Sequence, residues 1–304
     1  MNEPAILTEG LSVRYGRMEA VHSLNMEVPR RSIYAFLGPN GAGKSTTLSV
    51  LVNILRPSAG RACVLGREST SLSPEDFTRI GYVAESQELP NWMTGAQMID
   101  FLKPFYPNWD EAFERKLGLT LELPKERKIR QMSRGEKMKL RLLMSMAYRP
   151  ELLILDEPFS GLDPLVREEL SAGLLELVGD GDWTVILASH DVEELERLAD
   201  HAGFLANGHL HFSEPVEALQ RRFHRVTACF ETDPLTENIP PNWSGLEHAN
   251  RELRFVDEAF SRDDCRANLE KMGTLISMDA RTMSLREIFI ATTRRSRVGE
   301  AVFS

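Results

Sequence analysis

Short apolar runs that end in polar residues alternate with helical patterns along most of the chain. Residues 33–37, 152–155 and 184–189 are almost continuously apolar, which is typical of strands buried on both faces of a parallel sheet. Residues 6–13 and 23–28 alternate or cluster apolar positions and predict antiparallel strands. Helices are predicted over residues 45–55 and 134–148. Strands that alternate with helices in this way predict an α/β fold.

The pattern changes twice along the chain. Residues 92–148 show helical patterns broken by prolines, without a convincing strand, and predict an inserted helical subdomain. After a predicted helix at 215–223, residues 224–304 combine three short strands with two helices and predict a small α/β accessory domain with no sign of catalysis. The predicted domains are therefore 1–223 and 224–304.

Composition limits the possible roles. The 304 residues, 42% of them hydrophobic, are enough for one large domain and a smaller one. No apolar run is long enough to cross a bilayer, and the first residues do not resemble a signal peptide, so we expect any membrane role to come through a partner. The odd number of cysteines and their scattered positions predict neither disulfides nor a zinc site, and indicate a reducing cytosol. The cysteines are Cys63, Cys229 and Cys265.

The charge balance argues against nucleic acid as a partner. The net charge of -9 disfavours a broad nucleic-acid surface. Two pairs of arginines, Arg221-Arg222 and Arg294-Arg295, can be interpreted either as solvated helix ends or as a local basic patch.

A glycine-rich motif stands between the predicted strand 33–37 and the helix after it. Residues 38–46 read GPNGAGKST and match G-x-x-x-x-G-K-[ST]. A strand that enters a helix through such a turn directs backbone N–H groups and the positive end of the helix dipole at one point, which suits a polyphosphate. Lys44 is expected to reach the β- and γ-phosphates and the Ser45 hydroxyl to bind Mg²⁺. Gly38, Gly41 and Gly43 let the backbone close around the phosphate oxygens.

Acidic and basic side chains follow two other buried strands. Asp156 and Glu157 end the strand at 152–155, and His190 follows the strand at 184–189. Ligands of parallel sheets bind beyond the carboxyl ends of the strands. We therefore expect Asp156 to hold Mg²⁺, Glu157 to orient or deprotonate a water molecule, and His190 to contact the γ-phosphate.

Two further residues have two interpretations each. Ser133 and Glu136 have the spacing of a capping box, so the helix 134–148 is either simply well capped or presents Ser133 and the Gly135 amide as a second anion site. Tyr15, in a predicted turn with Gly16, either stacks on an adenine ring or packs locally.

Together and in this order, the motifs resemble those of the ATP-binding subunit of ATP-binding-cassette (ABC) transporters, over residues 4 to about 222. The resemblance implies a P-loop NTPase: a RecA-like core, an antiparallel β-subdomain and the inserted helical subdomain. It implies that residues 38–46 bind ATP with Mg²⁺, including Asn40 and Thr46, and that Glu157 and His190 are the catalytic glutamate and the switch histidine. The remaining nucleotide contacts that it implies are Tyr15, Ser133, Gly135 and Asp163 of the D-loop.

The chain departs from the family pattern at two places. Arg134 and Glu136 replace the usual glycine and glutamine of the signature, whereas Ser133 and Gly135 remain. Glu85 aligns with the glutamine of the Q-loop, and Gln87 is the alternative for that role in binding metal. A carboxylate can bind Mg²⁺ as an amide oxygen does, but its charge repels the γ-phosphate unless the metal intervenes.

The resemblance also implies an activity and partners. It implies an ATPase that closes ATP between two head-to-tail copies, as a homodimer or with a paralogue, and that opens on hydrolysis. It further implies a separate integral membrane permease and a cytoplasmic position on the inner face of the cell membrane. The signature of S-R-G type and residues 105–110 and 283–289 look most like the exporter branch, which includes antibiotic and peptide efflux ATPases.

Two other functions fit parts of the sequence. A soluble mechanoenzyme of the same superfamily would act on ribosomes or DNA, but such proteins usually carry tandem cassettes or a long inserted coiled coil. A regulatory protein that binds ATP without hydrolysing it would explain Glu85 and the altered signature. The intact set of Lys44, Asp156, Glu157 and His190 argues against this second alternative.

Overall fold

The computed structural model describes residues 3–84, 86–160, 162–179, 183–236 and 238–303, with only the backbone for 176–179, 194 and 295–303. The chain forms two compact units, Met1–Ser213 and Glu214–Ser304. The sequence-predicted boundary after residue 223 lies C-terminal to this division, because the helix Val216–Arg222 groups with the second unit.

A six-stranded sheet forms the centre of the first unit, in the order β10-β9-β3-β8-β7-β6. The strands β3, β7 and β8 are buried at every position, as their apolar sequences predict. Neighbouring strands from β9 to β6 run parallel, so their carboxyl ends meet at one edge. Asn207 and Gly208 both have positive φ, at 50° and 76°, and form the turn between β9 and β10. The strands are β3 (Ile33–Leu37), β6 (Ile80–Ala84), β7 (Leu152–Asp156), β8 (Thr184–Ser189), β9 (His201–Ala206) and β10 (His209–Pro215).

A second sheet of the first unit is antiparallel, in the order β2-β1-β4-β5. Its apolar side chains join those of β3, β7 and β8 in one core. The prediction for the first turn was wrong by one residue: Tyr15 is the last residue of β1 and pairs with Met18, and the turn is Gly16-Arg17. The strands are β1 (Ile6–Tyr15), β2 (Met18–Val28), β4 (Ala59–Val64) and β5 (Arg67–Glu68).

Seven helices are described in the first unit, and three of them lie within the predicted helical segment 92–148. No strand is described there, apart from an isolated bridge between Thr94 and Lys128. The sequence analysis did not predict α6, which starts at Pro164 and buries Leu170 and Leu174. The helices are α1 (Lys44–Leu51), α2 (Pro74–Phe77), α3 (Gly95–Leu102), α4 (Glu111–Thr120), α5 (Arg134–Met146), α6 (Pro164–Gly179) and α7 (Val192–Leu195).

The second unit is built on an antiparallel sheet in the order β12-β13-β11-β14. One face of the sheet packs on α9, with Val226, Phe255 and Leu269 in the core. The strand β12 was not predicted, because exposed positions alternate with apolar ones too weakly for its sequence to stand out. The elements are α8 (Val216–Arg222), β11 (His224–Phe230), β12 (Trp243–Ala249), β13 (Glu252–Asp257), α9 (Arg262–Glu270), β14 (Leu275–Thr282) and α10 (Leu285–Phe303).

Among the described residues, none of the helices combines the length and the apolar character that crossing a bilayer requires.

Candidate functional site

The glycine-rich loop joins β3 to α1 at the carboxyl edge of the central sheet. Gly43 has a φ of 104°, and a Cβ there would lie 2.5 Å from the carbonyl oxygen of Ala20. A Cβ on Gly38 would overlap the carbonyl of Leu205. Gly41, with a φ of 79°, has no atom within 4 Å of where its Cβ would stand. Two glycines therefore fit the loop against neighbouring backbone, and the third leaves its outer side open.

The first turn of α1 is arranged as an anion site. Gly43 is its N-cap, so no side chain caps the helix, and its first turn contains no acidic residue. The first N–H groups of a helix have no partner within the helix, and the helix dipole makes this end positive. The end of α1 thus combines backbone donors with positive potential, as phosphate binding requires.

Lys44 lies under the loop and is only 5% exposed. Its Nζ donates hydrogen bonds to the carbonyl oxygens of Gly38 at 2.7 Å and Pro39 at 3.3 Å, and lies 3.3 Å from Glu157 Oε1. Burial lowers the pKa of the Lys44 ammonium, while the carboxylates of Glu157 and Asp156 act in the opposite direction. The cation is thus held in place at the point where the loop would hold phosphate.

Asp156, the last residue of β7, is buried beside the start of α1. The Ser45 hydroxyl donates a hydrogen bond to Asp156 Oδ1 over 3.1 Å. A hydroxyl and a carboxylate oxygen side by side are ligands that Mg²⁺ prefers. The donor set therefore fits the magnesium ion that the sequence predicts here.

Glu157 links Lys44 to the end of β8. Its backbone has a φ of 49°, and its Oε2 lies 2.9 Å from His190 Nδ1 and accepts a hydrogen bond of 3.4 Å from Ser189 Oγ. Its Oε1 faces Lys44. The sequence reading missed Ser189, although its place directly before His190 at a strand end was a signal. These contacts bring the acid and the histidine together, as predicted from their strand ends.

The predicted second anion site lies at the start of α5. Ser133 Oγ accepts a hydrogen bond from the Glu136 N–H at 3.1 Å, and the Ser133 N–H donates to Glu136 Oε2 at 2.7 Å, which is the predicted capping box. Arg127 lies 2.5 Å from Glu136 Oε1. The Ser133 N–H, and then Arg127, lower the pKa of Glu136 below its ordinary value, so a negative charge stands at this helix end.

The structure also describes Asp163, Gly135 and Tyr15. Asp163 Oδ1 accepts hydrogen bonds from the N–H groups of Leu165 and Val166 and so caps α6. Gly135 faces α6, since a Cβ there would lie 3.2 Å from Val166 Cγ1. Tyr15 is 47% exposed at the end of its strand.

The structure describes only one of the two residues predicted for the metal-binding role of the Q-loop. Glu85 lies outside the described residues, as does Gly161 of the D-loop. The Gln87 side chain is exposed, and its backbone carbonyl accepts a hydrogen bond from Arg141. Which of Glu85 and Gln87 binds metal therefore stays a prediction.

Comparisons with known proteins identify the family. The sequence profile described as "ABC transporter" matches residues 21–160. The bacitracin transport ATP-binding protein BcrA of Bacillus licheniformis is 33% identical over 224 residues, which are 71% of this chain and 72% of BcrA. The daunorubicin resistance ATP-binding protein DrrA3 of Streptomyces coeruleorubidus is 34% identical over 216 residues, which are 68% of this chain and 67% of DrrA3.

The fold also has solved counterparts. A structure titled as the ATP-binding subunit of an ABC transporter superposes with a TM-score of 0.65 at 25% identity, covering 71% of this chain and 92% of that one. The predicted α/β P-loop NTPase fold is thereby confirmed.

Proposed function

This chain belongs to the ABC transporter family as an ATP-binding subunit with ATPase activity, and from that premise we propose that it powers an exporter. The observation that carries the proposal is the connected set of side chains from the glycine-rich loop to Glu157 and His190. The exporter direction rests on the relatives, which are named for bacitracin transport and daunorubicin resistance.

In the proposed ATP site, the open N–H groups around Gly41 and the start of α1 hold the phosphates. Lys44 exchanges its contacts with the loop carbonyls and Glu157 for the β- and γ-phosphates. Ser45 and Asp156 hold Mg²⁺, which supplies positive charge that neutralises the phosphates. Tyr15, exposed at the end of β1, stacks on the adenine.

The proposed hydrolytic step uses Glu157 and His190. Phosphoryl transfer needs little covalent help from the protein, so positioning and charge stabilisation dominate. Glu157 orients the attacking water and accepts its proton, and His190 contacts the γ-phosphate while it holds the Glu157 carboxylate. The Ser189 hydroxyl holds the same carboxylate by donating a hydrogen bond to it.

The proposed working form contains two copies arranged head to tail. In this arrangement Ser133, Gly135 and Asp163 of one copy complete the nucleotide site of the other. The support within this chain is a second helix N-terminus, that of α5, which binds no part of its own glycine-rich loop in the described contacts. Loss of the γ-phosphate would remove an anion that both copies hold and so loosen the pair.

We also propose that a separate membrane subunit binds the helical segment, which places the chain in the cytoplasm at the inner face of the membrane. Three aromatic side chains of this segment are largely exposed: Trp92 by 71%, Phe105 by 63% and Phe101 by 53%. Exposed aromatic groups of this size are typical of binding surfaces. The rings of Phe101 and Phe105 also contact each other, with centroids 5.6 Å apart.

The catalytic part is tested with Glu157→Gln. We expect the variant to bind ATP but to release phosphate at least a hundredfold more slowly, because the glutamine cannot accept a proton. Glu151→Gln is the matched control: Glu151 precedes the same strand at its other end, where it pairs with Arg79 and Arg30. Phosphate release by purified protein is the measurement, and unchanged turnover in Glu157→Gln would remove this residue from its role.

The transport part is tested by co-purification from membranes of the native host. We expect an integral membrane protein to be retained by the wild-type chain and lost from Trp92→Ser/Phe101→Ser, with ATP binding intact. Recovery of ribosomes or DNA instead of a membrane protein would favour the mechanoenzyme.

A further inference from the structure

The second unit contains a cleft whose lining shares no residue with the proposed ATP site. Its volume is about 510 Å³, within the range of about 300 to 1,000 Å³ typical of small-molecule sites. Strands β11, β12 and β13 form one side and the first half of α10 forms the other. Its apolar side chains on the cleft side are Val256, Ile290 and Ala291.

The strand register places several of the lining residues in one row. Val256 of β13 is the direct cross-strand partner of Arg225 on β11 and of Ser244 on β12. Side chains in such a row share a face of the sheet. This is the face opposite to the one that Val226 and Ala228 bury in the core. Ile290 and Arg294 are one turn apart on α10 and close the cleft from above.

The polar groups of the cleft are mostly cationic. Arg225, Arg254 and Arg294 line it together with a single acid, Glu247. Arg254 is paired with Glu252, whereas the side chains of Arg225 and Arg294 form no hydrogen bond or ion pair within the part of the chain that the structure describes. In a protein of net charge -9, this local excess of positive charge is not a property of the whole surface.

Two acids near the cleft are already engaged. Arg281 donates to Glu287 Oε1 at 2.7 Å, and it lowers the pKa of Glu287 more than Arg225 does. Glu252 is occupied by Arg254. Neither acid therefore neutralises Arg294.

Ser244 adds an unused donor on the same face. Its Oγ is buried and has no hydrogen-bond partner within the described residues. A buried polar group without a partner is destabilising, and a ligand oxygen at this position would supply the missing hydrogen bond.

We propose that the cleft binds one small amphipathic anion. Arg225, Arg294 and the Ser244 hydroxyl hold a carboxylate or phosphate head group, and the apolar body lies against Val256, Ile290 and Ala291. Charge complementarity selects the head group, and the apolar lining selects the body. The second unit is then a ligand-binding module attached to the ATPase.

The first experiment uses the full chain and decyl phosphate below its micellar concentration. We expect saturable binding of one molecule per chain by calorimetry, and much weaker binding of decyl maltoside and decyltrimethylammonium. Absence of saturable binding, or equal binding of the cationic compound, would overturn the proposal. The measurement needs no ATP, so its failure is distinct from a failure of the proposed ATPase mechanism.

Variants then place the ligand in the cleft. Arg225→Ala/Arg294→Ala is expected to weaken decyl phosphate binding about tenfold or more, whereas Arg225→Lys/Arg294→Lys keeps most of the affinity because the charge remains. Arg262→Ala is the control, since this exposed arginine lies on α9, which covers the other face of the sheet. Ala291→Phe should block the cleft. Thermal unfolding checks that each variant is folded, and wild-type affinity in the double alanine variant would refute the site.

A last experiment distinguishes whether the bound anion is a free metabolite or a lipid head group. Vesicles of phosphatidylglycerol are compared with vesicles of phosphatidylcholine in a flotation assay. Binding only to the anionic vesicles, lost in Arg225→Ala/Arg294→Ala, assigns a lipid source, and decyl phosphate binding without vesicle binding assigns a free anion. Vesicle binding that persists in the double variant contradicts the proposal.

Discussion

The N-termini of α1 and α5 are both predicted phosphate sites, yet they are built in opposite ways. The start of α1 has a glycine as its N-cap, no acid in its first turn and a buried cation, Lys44, beneath it. The start of α5 has a serine cap, and the carboxylate of Glu136 occupies the Ser133 N–H. No acidic side chain of the first turn competes with an anion at α1, whereas Glu136 does so at α5.

This difference indicates how the two sites divide the work. A helix end with free amides and a nearby lysine binds phosphate within one chain. A helix end that carries a negative charge attracts phosphate less, because the carboxylate opposes the dipole effect on a second anion. Arg127 offsets this charge at 2.5 Å. We therefore expect the α1 site to set affinity for ATP, and the α5 site to act weakly and only when a second copy supplies the nucleotide.

The largest expected effects come from disabling each helix end in turn. Lys44→Ala should weaken ATP binding about tenfold to a hundredfold, because it removes charge-assisted hydrogen bonds. Ser133→Arg should keep ATP binding but abolish ATP-dependent dimerisation, since it removes the cap and places a long side chain at the proposed contact. Nucleotide titration and light scattering with magnesium ATP, in a Glu157→Gln background, measure the two properties.

Ser284→Arg is the matched control for Ser133→Arg. Ser284 and Glu287 form the same capping box at α10, with the Ser284 N–H 3.1 Å from Glu287 Oε2. We expect Ser284→Arg to dimerise with magnesium ATP as the Glu157→Gln parent protein does. Equal loss in both variants would mean that cap removal alone, and not the α5 site, explains the result.

The next largest effects concern the free energy of unfolding, and they should differ between Gly43 at α1 and Gly135 at α5. Gly43→Ala forces a φ of 104° on alanine and a contact of 2.5 Å with a backbone oxygen, so we expect the free energy of unfolding of the first unit to fall by about 2 kcal/mol or more. Gly135→Ala meets only Val166 at 3.2 Å and gains helix propensity, so its change should stay below about 1 kcal/mol. Urea unfolding of the nucleotide-free protein measures both. A Gly43→Ala variant as stable as Gly135→Ala would show that the loop relaxes freely.

The smallest effect sharpens the comparison most. Glu136→Gln keeps the capping box, since glutamine also caps, but removes the charge at α5. ATP-dependent association should become about two- to fivefold tighter, corresponding to about 0.4 to 1 kcal/mol, and the gain should shrink with added salt. Glu287→Gln, at the same position of the α10 capping box, should change nothing. Weaker association in Glu136→Gln would mean that the carboxylate assists the second copy.

Local signals account for most of what was predicted in advance. The glycine-rich motif, the apolar strands and the Asp-Glu strand end each depend on a few consecutive residues, and the structure has each of these strands. The weaker signals failed: α6 lacks a distinctive pattern at its start, and β12 alternates too weakly to be told from a loop. Tyr15 was misplaced because a turn can begin at either of two neighbouring residues.

The amino-acid sequence by itself determined the chemical inventory: a phosphate loop, a metal-binding acid, a candidate base and a capped helix. Backbone hydrogen bonding and apolar periodicity act over a few residues, so short stretches specify them. Only the tertiary structure decided that Glu157 lies between Lys44 and His190, that Arg127 pairs with Glu136, and that arginines from β11 and α10 meet at one cleft. These contacts join residues far apart in the chain, and sheet order and helix packing alone bring them together.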